Sequence, residues 1–241
     1  MEGSGRRTWG LLFVLLGTVP VWAAEPIVES PAPVAAVTAL SASPDGAVDE
    51  HKGNCLLWTA GGRTYTIADL HTVMAGAGGA SDRVADRIAV TVGTRSSAAH
   101  LVWPPPGQRD FLKTDMSILE LEDDITDAPF GVSVFQHRDG GLPRDLYLAA
   151  PGHRPAVLPI RARAVAYGAQ WFLYRELSYG DSGGMVFAIE DGAVVPYGFV
   201  SAIGSLPGVS ARGTAVYGRD AMRIFINQFL RTRAVGVAAI P

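Results

Sequence analysis

A serine framed by glycines is the feature of this chain with the most chemistry in it. Tyr179-Gly180-Asp181-Ser182-Gly183-Gly184 leads straight into an apolar run, Met185 to Ile189. A hydroxyl that attacks a carbonyl carbon needs an open approach and backbone N–H groups aimed at the oxygen that becomes negative. Glycine at 180 permits a backbone conformation closed to residues with a Cβ. The N–H groups of Gly180 and Ser182 can then converge on one point, and Gly183 and Gly184 leave room for substrate. The same residues would also serve as a glycine-rich turn between strands. The rest of the chain has to decide between the two.

A lone serine is a weak nucleophile, so a histidine and a carboxylate must reach it. Tyr65-Thr66-Ile67-Ala68-Asp69-Leu70-His71 is a short β-prone run ending at a histidine. Thr114-Asp115-Met116-Ser117-Ile118-Leu119 puts an aspartate at the mouth of a strand. Asp110, Asp123 and Asp124 are rival carboxylates. The chain order of the candidates is His71, Asp115, Ser182, which separates them from the other known chain orders of such a trio.

With these residues in place, the sequence resembles the trypsin and chymotrypsin family of serine proteases. Gly180-Asp181-Ser182-Gly183-Gly184 matches the family's nucleophile motif in full, and Asp115-Met116-Ser117-Ile118-Leu119 is similar to its aspartate strand. Leu70-His71-Thr72-Val73 matches the histidine motif in part, since Asp69, Leu70 and Thr72 occupy places where the family has small residues and often a cysteine. The resemblance spans residues 50 to 232. It implies an all-β fold of two six-stranded β-barrel lobes with a C-terminal helix, and a secreted serine endopeptidase working through an acyl-enzyme. His71, Asp115 and Ser182 would be catalytic, with an oxyanion hole at the Gly180 and Ser182 amides. It also places Ser201 at the start of a substrate-pairing strand, or simply at a strand's end. Glu176, six residues before the serine, would sit in the pocket for an Arg or Lys side chain, or else in a plain surface Glu–Arg stretch. No Arg-Ile-Val-Gly-like activation site is present, so Asp181 needs a partner other than a new N-terminus.

The elements that must position these residues read as short β-runs separated by Gly, Pro and Asp. Examples are Cys55 to Thr59, Arg87 to Thr94, Met116 to Leu121, Trp171 to Tyr174 and Val194 to Ser201. Asp191-Gly192 predicts a tight hairpin. Residues 122–132 form an acidic lobe boundary within a domain spanning 49–232. Met222, Phe225, Ile226, Phe229 and Leu230 lie at helical spacing, predicting a terminal helix docked on the second lobe, followed by a tail over 233–241.

Residues 1–24 read as a secretory signal, with Arg6 and Arg7 before an apolar run and small residues at Ala23 and Ala24. Pro20 interrupts a stretch already shorter than the ~20 residues of a spanning helix, so no stable membrane insertion is expected after cleavage. The expected location is secreted or periplasmic. Residues 25–48, rich in Pro, Ala, Ser and Val, read as a flexible leader or pro-segment. A net charge of −3 without a basic block excludes nucleic acid as a partner. The resemblance implies instead a protein or peptide substrate, acted on by a monomer. With the single cysteine Cys55, no intrachain disulfide can form. His51, His100, His137 and His153 read as surface histidines, so neither a metal site nor a cofactor is expected. The competing readings are a catalytically inactive homologue that binds a partner through the same cleft, and a structural β protein whose Gly-Asp-Ser-Gly-Gly is accidental.

Overall fold

The computed structural model describes residues 31–75 except 32 and 44, 82–110, 113–135, 142–160 except 144, 164–167, 170–173, 177–205 and 212–233. Residues 1–30, read from sequence as a signal and the start of a leader, His137, Glu176 and residues 234–241 lie outside them. The first lobe is built from β1 (Val34–Ala42), β2 (Val48–Ala60), β3 (Arg63–Ala68), β4 (Arg87–Val92), β5 (Arg95–Trp103) and β6 (Ser117–Leu121), with a helical turn, α1 (Leu70–Val73), between β3 and β4. The order β1-β4-β5-β6-β3-β2 closes because β2 pairs back onto β1, giving a six-stranded barrel. A two-residue strand, β7 (Phe130–Gly131), adds in parallel to β2.

The expected flexible leader over 25–48 is corrected here, since 34–42 form a full strand of this barrel. β1 pairs antiparallel with β2 from Val34↔Leu56 to Ala42↔Val48 and with β4 from Ala36↔Thr91 to Leu40↔Arg87. Without it β2 and β4 would face each other with unpaired edges, which a closed sheet avoids. Its side chains are small, and Ala35, Val37 and Ala39 point into the barrel with almost no exposure.

The second lobe comprises β8 (Leu146–Ala149), β9 (Leu158–Ile160), β10 (Ala164–Tyr167), β11 (Gln170–Leu173), β12 (Met185–Glu190), β13 (Ala193–Ser205) and β14 (Arg212–Gly218). Its described strands form a curled sheet in the order β10-β11-β14-β13-β12-β8-β9. The β12–β13 hairpin turns at Asp191 and Gly192, both with positive φ (51° and 78°) as the tightest hairpins require. The all-β, two-lobe architecture with a C-terminal helix is thus the one the chain adopts.

The apolar run in β2 is continuous, not alternating, because both of its faces are covered. Cys55 and Leu57 face the barrel interior, whereas Leu56 and Trp58 face the seam between the lobes. The final helix, α2 (Arg219–Thr232), fills that seam. Met222, Phe225, Ile226, Phe229 and Leu230 are buried on one face, as their spacing predicts. The helix packs on β13 and β14 and also reaches the first lobe, a contact its sequence does not announce. The Phe229 ring lies edge-on to Trp58 and Tyr65, at centroid distances of 6.3 and 5.3 Å. Burying each such side chain stabilises the fold by ~1.5–3 kcal/mol, and here that energy also docks one lobe to the other.

Candidate active site

α1 follows β3 with one intervening residue, Asp69. Leu70 and Val73 anchor the turn in the barrel core, leaving His71 on its outer side with 38% of the side chain exposed. Asp115, just before β6, is 6% exposed. Its Oδ2 lies 2.7 Å from His71 Nδ1, and its Oδ1 accepts the His71 backbone N–H at 2.9 Å. A carboxylate only accepts, so Nδ1 carries a ring proton, which in the neutral imidazole leaves Nε2 with its lone pair.

Asp115 is held in turn from the second lobe. Its backbone N–H donates to the Tyr217 hydroxyl at 2.9 Å, and Ser201 Oγ donates to Oδ2 at 3.3 Å. Burial raises the Tyr217 pKa above the ordinary phenol value, so this hydroxyl stays protonated. Ser201, proposed from sequence for substrate pairing, therefore has its side chain turned inward onto the carboxylate. None of the three rival aspartates joins this hydrogen bonding. Asp123 and Asp124 take bonds involving Ser97 and Thr64 on the first lobe, and Asp110 pairs with Lys113.

The loop carrying Ser182 is docked by other bonds. The Gly183 N–H donates to the Val200 carbonyl and the Val200 N–H to the Gly184 carbonyl, both at 2.8 Å, which docks the nucleophile loop beside Ser201. From the other side, a Cβ added to Gly53 would lie 3.0 Å from Thr72 Oγ1 and 3.2 Å from the Ser182 carbonyl. The loop and the turn that carries His71 thus flank one glycine of β2. Gly180 (φ 93°) and Gly183 (φ 75°) both occupy the left-handed region, giving the loop the sharp path that a side chain would resist. His71, Asp115 and Ser201 are directly hydrogen bonded, and the Ser182 backbone adjoins Gly53 on one side and, through Val200, the strand that carries Ser201 on the other.

Asp181 is fully buried and has the partner that the missing activation site left open. Arg154 donates to both of its oxygens, at 2.8 and 2.7 Å, and the Ser178 N–H adds a third bond at 2.8 Å. A paired guanidinium–carboxylate geometry of this kind is among the strongest polar contacts a protein makes. Nothing near Arg154 in the sequence marks it out, since the contact spans 27 residues. His153, read from sequence as a solvated histidine, is exposed but packed on the nucleophile loop. A Cβ on Gly180 would lie 2.7 Å from its Nδ1.

One group sits behind the pair without a use in this scheme. Asp69 is fully buried, and neither carboxylate oxygen has a hydrogen-bond partner. It occupies the N-cap position of α1 but makes no side-chain cap bond. One oxygen from each of Asp69 and Asp115 and a nitrogen of His71 all lie within 4.8 Å of one another. Burial pushes the Asp69 carboxyl well above the ordinary carboxylate range, and the Asp115 charge pushes it further. Cys55 is equally sealed, its thiol pushed up to about 12 by burial. It is inert at neutral pH, as an apolar strand position predicts.

No protein-family model and no curated protein matches this sequence. Solved structures do match in fold. A serine endoprotease from Yersinia pestis aligns at a TM-score of 0.56 and 16% identity, over 84% of this chain and 64% of its own. An inactive serine-to-alanine form of Rv3671c from M. tuberculosis aligns at 0.54 and 15%, over 88% and 99%. The thermostable serine protease AL20 from an extremophilic microorganism aligns at 0.53 and 15%, over 80% and 95%. A closed barrel and a curled second sheet, with the histidine and aspartate on one lobe and a glycine-framed serine on the other, give this chain the chymotrypsin-like serine protease fold.

Proposed function

We propose that the chain is a serine endopeptidase whose nucleophile is Ser182, whose general base is His71 and whose orienting carboxylate is Asp115. The observation that carries this reading is the double hold of Asp115 on His71, through both ring and backbone, in a turn that adjoins the Ser182 loop. Ser182 Oγ attacks the carbonyl carbon of the peptide while His71 Nε2 takes its proton. The imidazolium, favoured by Asp115, then gives that proton to the leaving amine. Water repeats the sequence on the acyl-enzyme and frees Ser182.

The amides of Asp181, Gly183 and Gly184 are engaged within the fold. Those of Gly180 and Ser182 are assigned to the oxyanion, where one donor is worth about 3 kcal/mol. The reaction needs no cofactor. In this reading the chain acts outside the cytoplasm, in the secreted or periplasmic space to which residues 1–24 would direct it, and Glu176 selects Arg or Lys before the cut.

A fluorophosphonate probe and a panel of fluorogenic peptides test this directly. Labelling of Ser182 that disappears in Ser182→Ala and His71→Ala supports the reading, as does cleavage after Arg or Lys that collapses in Glu176→Gln. An unlabelled, correctly folded chain rejects it in favour of an inactive binding homologue.

A further inference from the structure

Asn54 belongs to the first lobe, on β2, yet every polar atom of its side chain is bonded to second-lobe backbone. Its Nδ2 donates to the carbonyls of Gly180 and Ser182, both at 2.9 Å, and its Oδ1 accepts the Gly152 N–H at 2.7 Å. Its own backbone N–H donates to the Ser182 carbonyl at 2.8 Å, and the residue is 1% exposed. Two donors and one acceptor on a short planar group are what these three partners require, and a buried amide meets all of them. The backbones are in direct contact as well. A Cβ on Gly183 would lie 1.8 Å from the Asn54 carbonyl oxygen, and one on Gly152 would lie 2.3 Å from that of Gly53.

These bonds fix peptide planes on both sides of the nucleophile. The plane joining Gly180 to Asp181 is held at its carbonyl by Asn54 and at its N–H by the Ser178 carbonyl. The plane joining Ser182 to Gly183 is held at its carbonyl by Asn54 and at its N–H by Val200. The Ser182 N–H lies between two pinned planes, and the Gly180 N–H borders one of them. Asn54 Oδ1 also holds Gly152, two residues from the Arg154 that clamps Asp181. The bonds therefore close a ring, from Asn54 through Gly152 and Arg154 to Asp181, and through Ser182 back to Asn54.

We propose that Asn54 is a positioning residue that holds the oxyanion loop in its working shape from the opposite lobe, so that lobe docking and assembly of the oxyanion hole are one event. The proposal rests on the protease reading for its effect on turnover, but the clasp itself does not depend on it. Asn54→Asp is the informative variant. It keeps the size and the Gly152 bond, but sets a carboxylate oxygen against the Gly180 and Ser182 carbonyls. Asn54→Ala removes all three side-chain bonds.

The full chain and both variants are compared by steady-state kinetics on one peptide substrate, by inhibition with a peptide boronic acid, and by hydrogen–deuterium exchange over residues 178–184. Circular dichroism checks the fold. In both variants kcat is expected to fall about a hundred- to a thousand-fold, the scale of a lost oxyanion donor, with KM changed less than about threefold. Boronate affinity, which depends on the same hole, falls in step, and exchange over 178–184 accelerates. Asn54→Asp with wild-type kcat and unchanged exchange overturns the proposal, as does a loss confined to KM. If the wild-type chain itself is not labelled at Ser182, the protease reading fails while the exchange arm still decides whether Asn54 holds the loop.

Discussion

Asp69→Asn should make this protein more stable at pH 8 and leave it unchanged near pH 4. The buried Asp69 carboxyl has no hydrogen-bond partner, and the Asp115 carboxylate lies within 4.8 Å. Its folded-state pKa is therefore raised, chiefly by burial. In the unfolded chain the same group gives up its proton above about pH 4. Because the native state binds that proton more tightly, stability is greatest below the unfolded value and is lost as pH rises toward the folded one. Asparagine keeps the shape of the neutral acid and has no proton to lose, so the gap between variant and wild type opens with pH. Each unit of raised pKa contributes about 1.4 kcal/mol to that gap once both values are passed. Asparagine is equally unbonded in the same site, so the gap comes from the proton alone, and a pKa held well above the ordinary value makes it at least one such step. A chain of this size shifts its Tm by about 2–4 °C per kcal/mol, so a gain of several degrees is expected at pH 8. Thermal melts of the two proteins at pH 4, 6 and 8 in buffers of equal ionic strength provide the assay. An identical difference at every pH, or a variant that melts below wild type at pH 8, would refute the reasoning.

Three further outcomes follow from the same geometry. Asp115→Asn should lower kcat by about 10⁴-fold with little change in KM, because an amide favours the wrong His71 tautomer; steady-state kinetics at saturating substrate reads this. Arg154→Met should leave Asp181 charged and unpaired in a fully buried position, destabilising the fold by about 3–5 kcal/mol and slowing fluorophosphonate labelling of Ser182. A Tm within a degree of wild type would rule that out. Reducing agent should change neither Tm nor activity, since Cys55 is the chain's one cysteine and is buried, and a loss on reduction would point to a disulfide between chains.

Local chemistry was the part of this protein legible in its sequence. The glycine frame of Ser182, the aspartate at the mouth of β6, the Asp191-Gly192 turn and the helical spacing of Met222 to Leu230 each declare themselves within a few residues. β1 did not, because Val34–Ala42 is mostly small residues in a Pro- and Ser-rich stretch, and only closure of the barrel between β2 and β4 makes it a strand. The supports of the site were equally hidden. Asn54, Arg154 and Tyr217 act on partners 126, 27 and 102 residues away, and no short-range pattern encodes such pairings. Asp69 registered only as a departure from the expected histidine motif, and its meaning depends on a burial that the sequence does not reveal.

Asn54 and Tyr217 share one task, which is holding the two lobes in register without a disulfide between them. Asp115 is supplied by the first lobe but bonded by Tyr217 and Ser201 of the second, whereas the Ser182 loop is supplied by the second and bonded by Asn54 of the first. Each half of the site is thus completed by the other lobe. The apolar seam beneath them, with Phe229 against Trp58 and Tyr65, provides the docking energy, and Arg233 pairing with Glu120 at 2.9 Å extends the tie to the end of α2. Hydrophobic packing is non-directional and sets the lobes together. Hydrogen bonds have the angular definition that orients a carboxylate or an amide once they are together. Loosening the seam, for example by Phe229→Ala at a cost of about 3–5 kcal/mol, should therefore reduce turnover even though α2 contributes no group to the reaction.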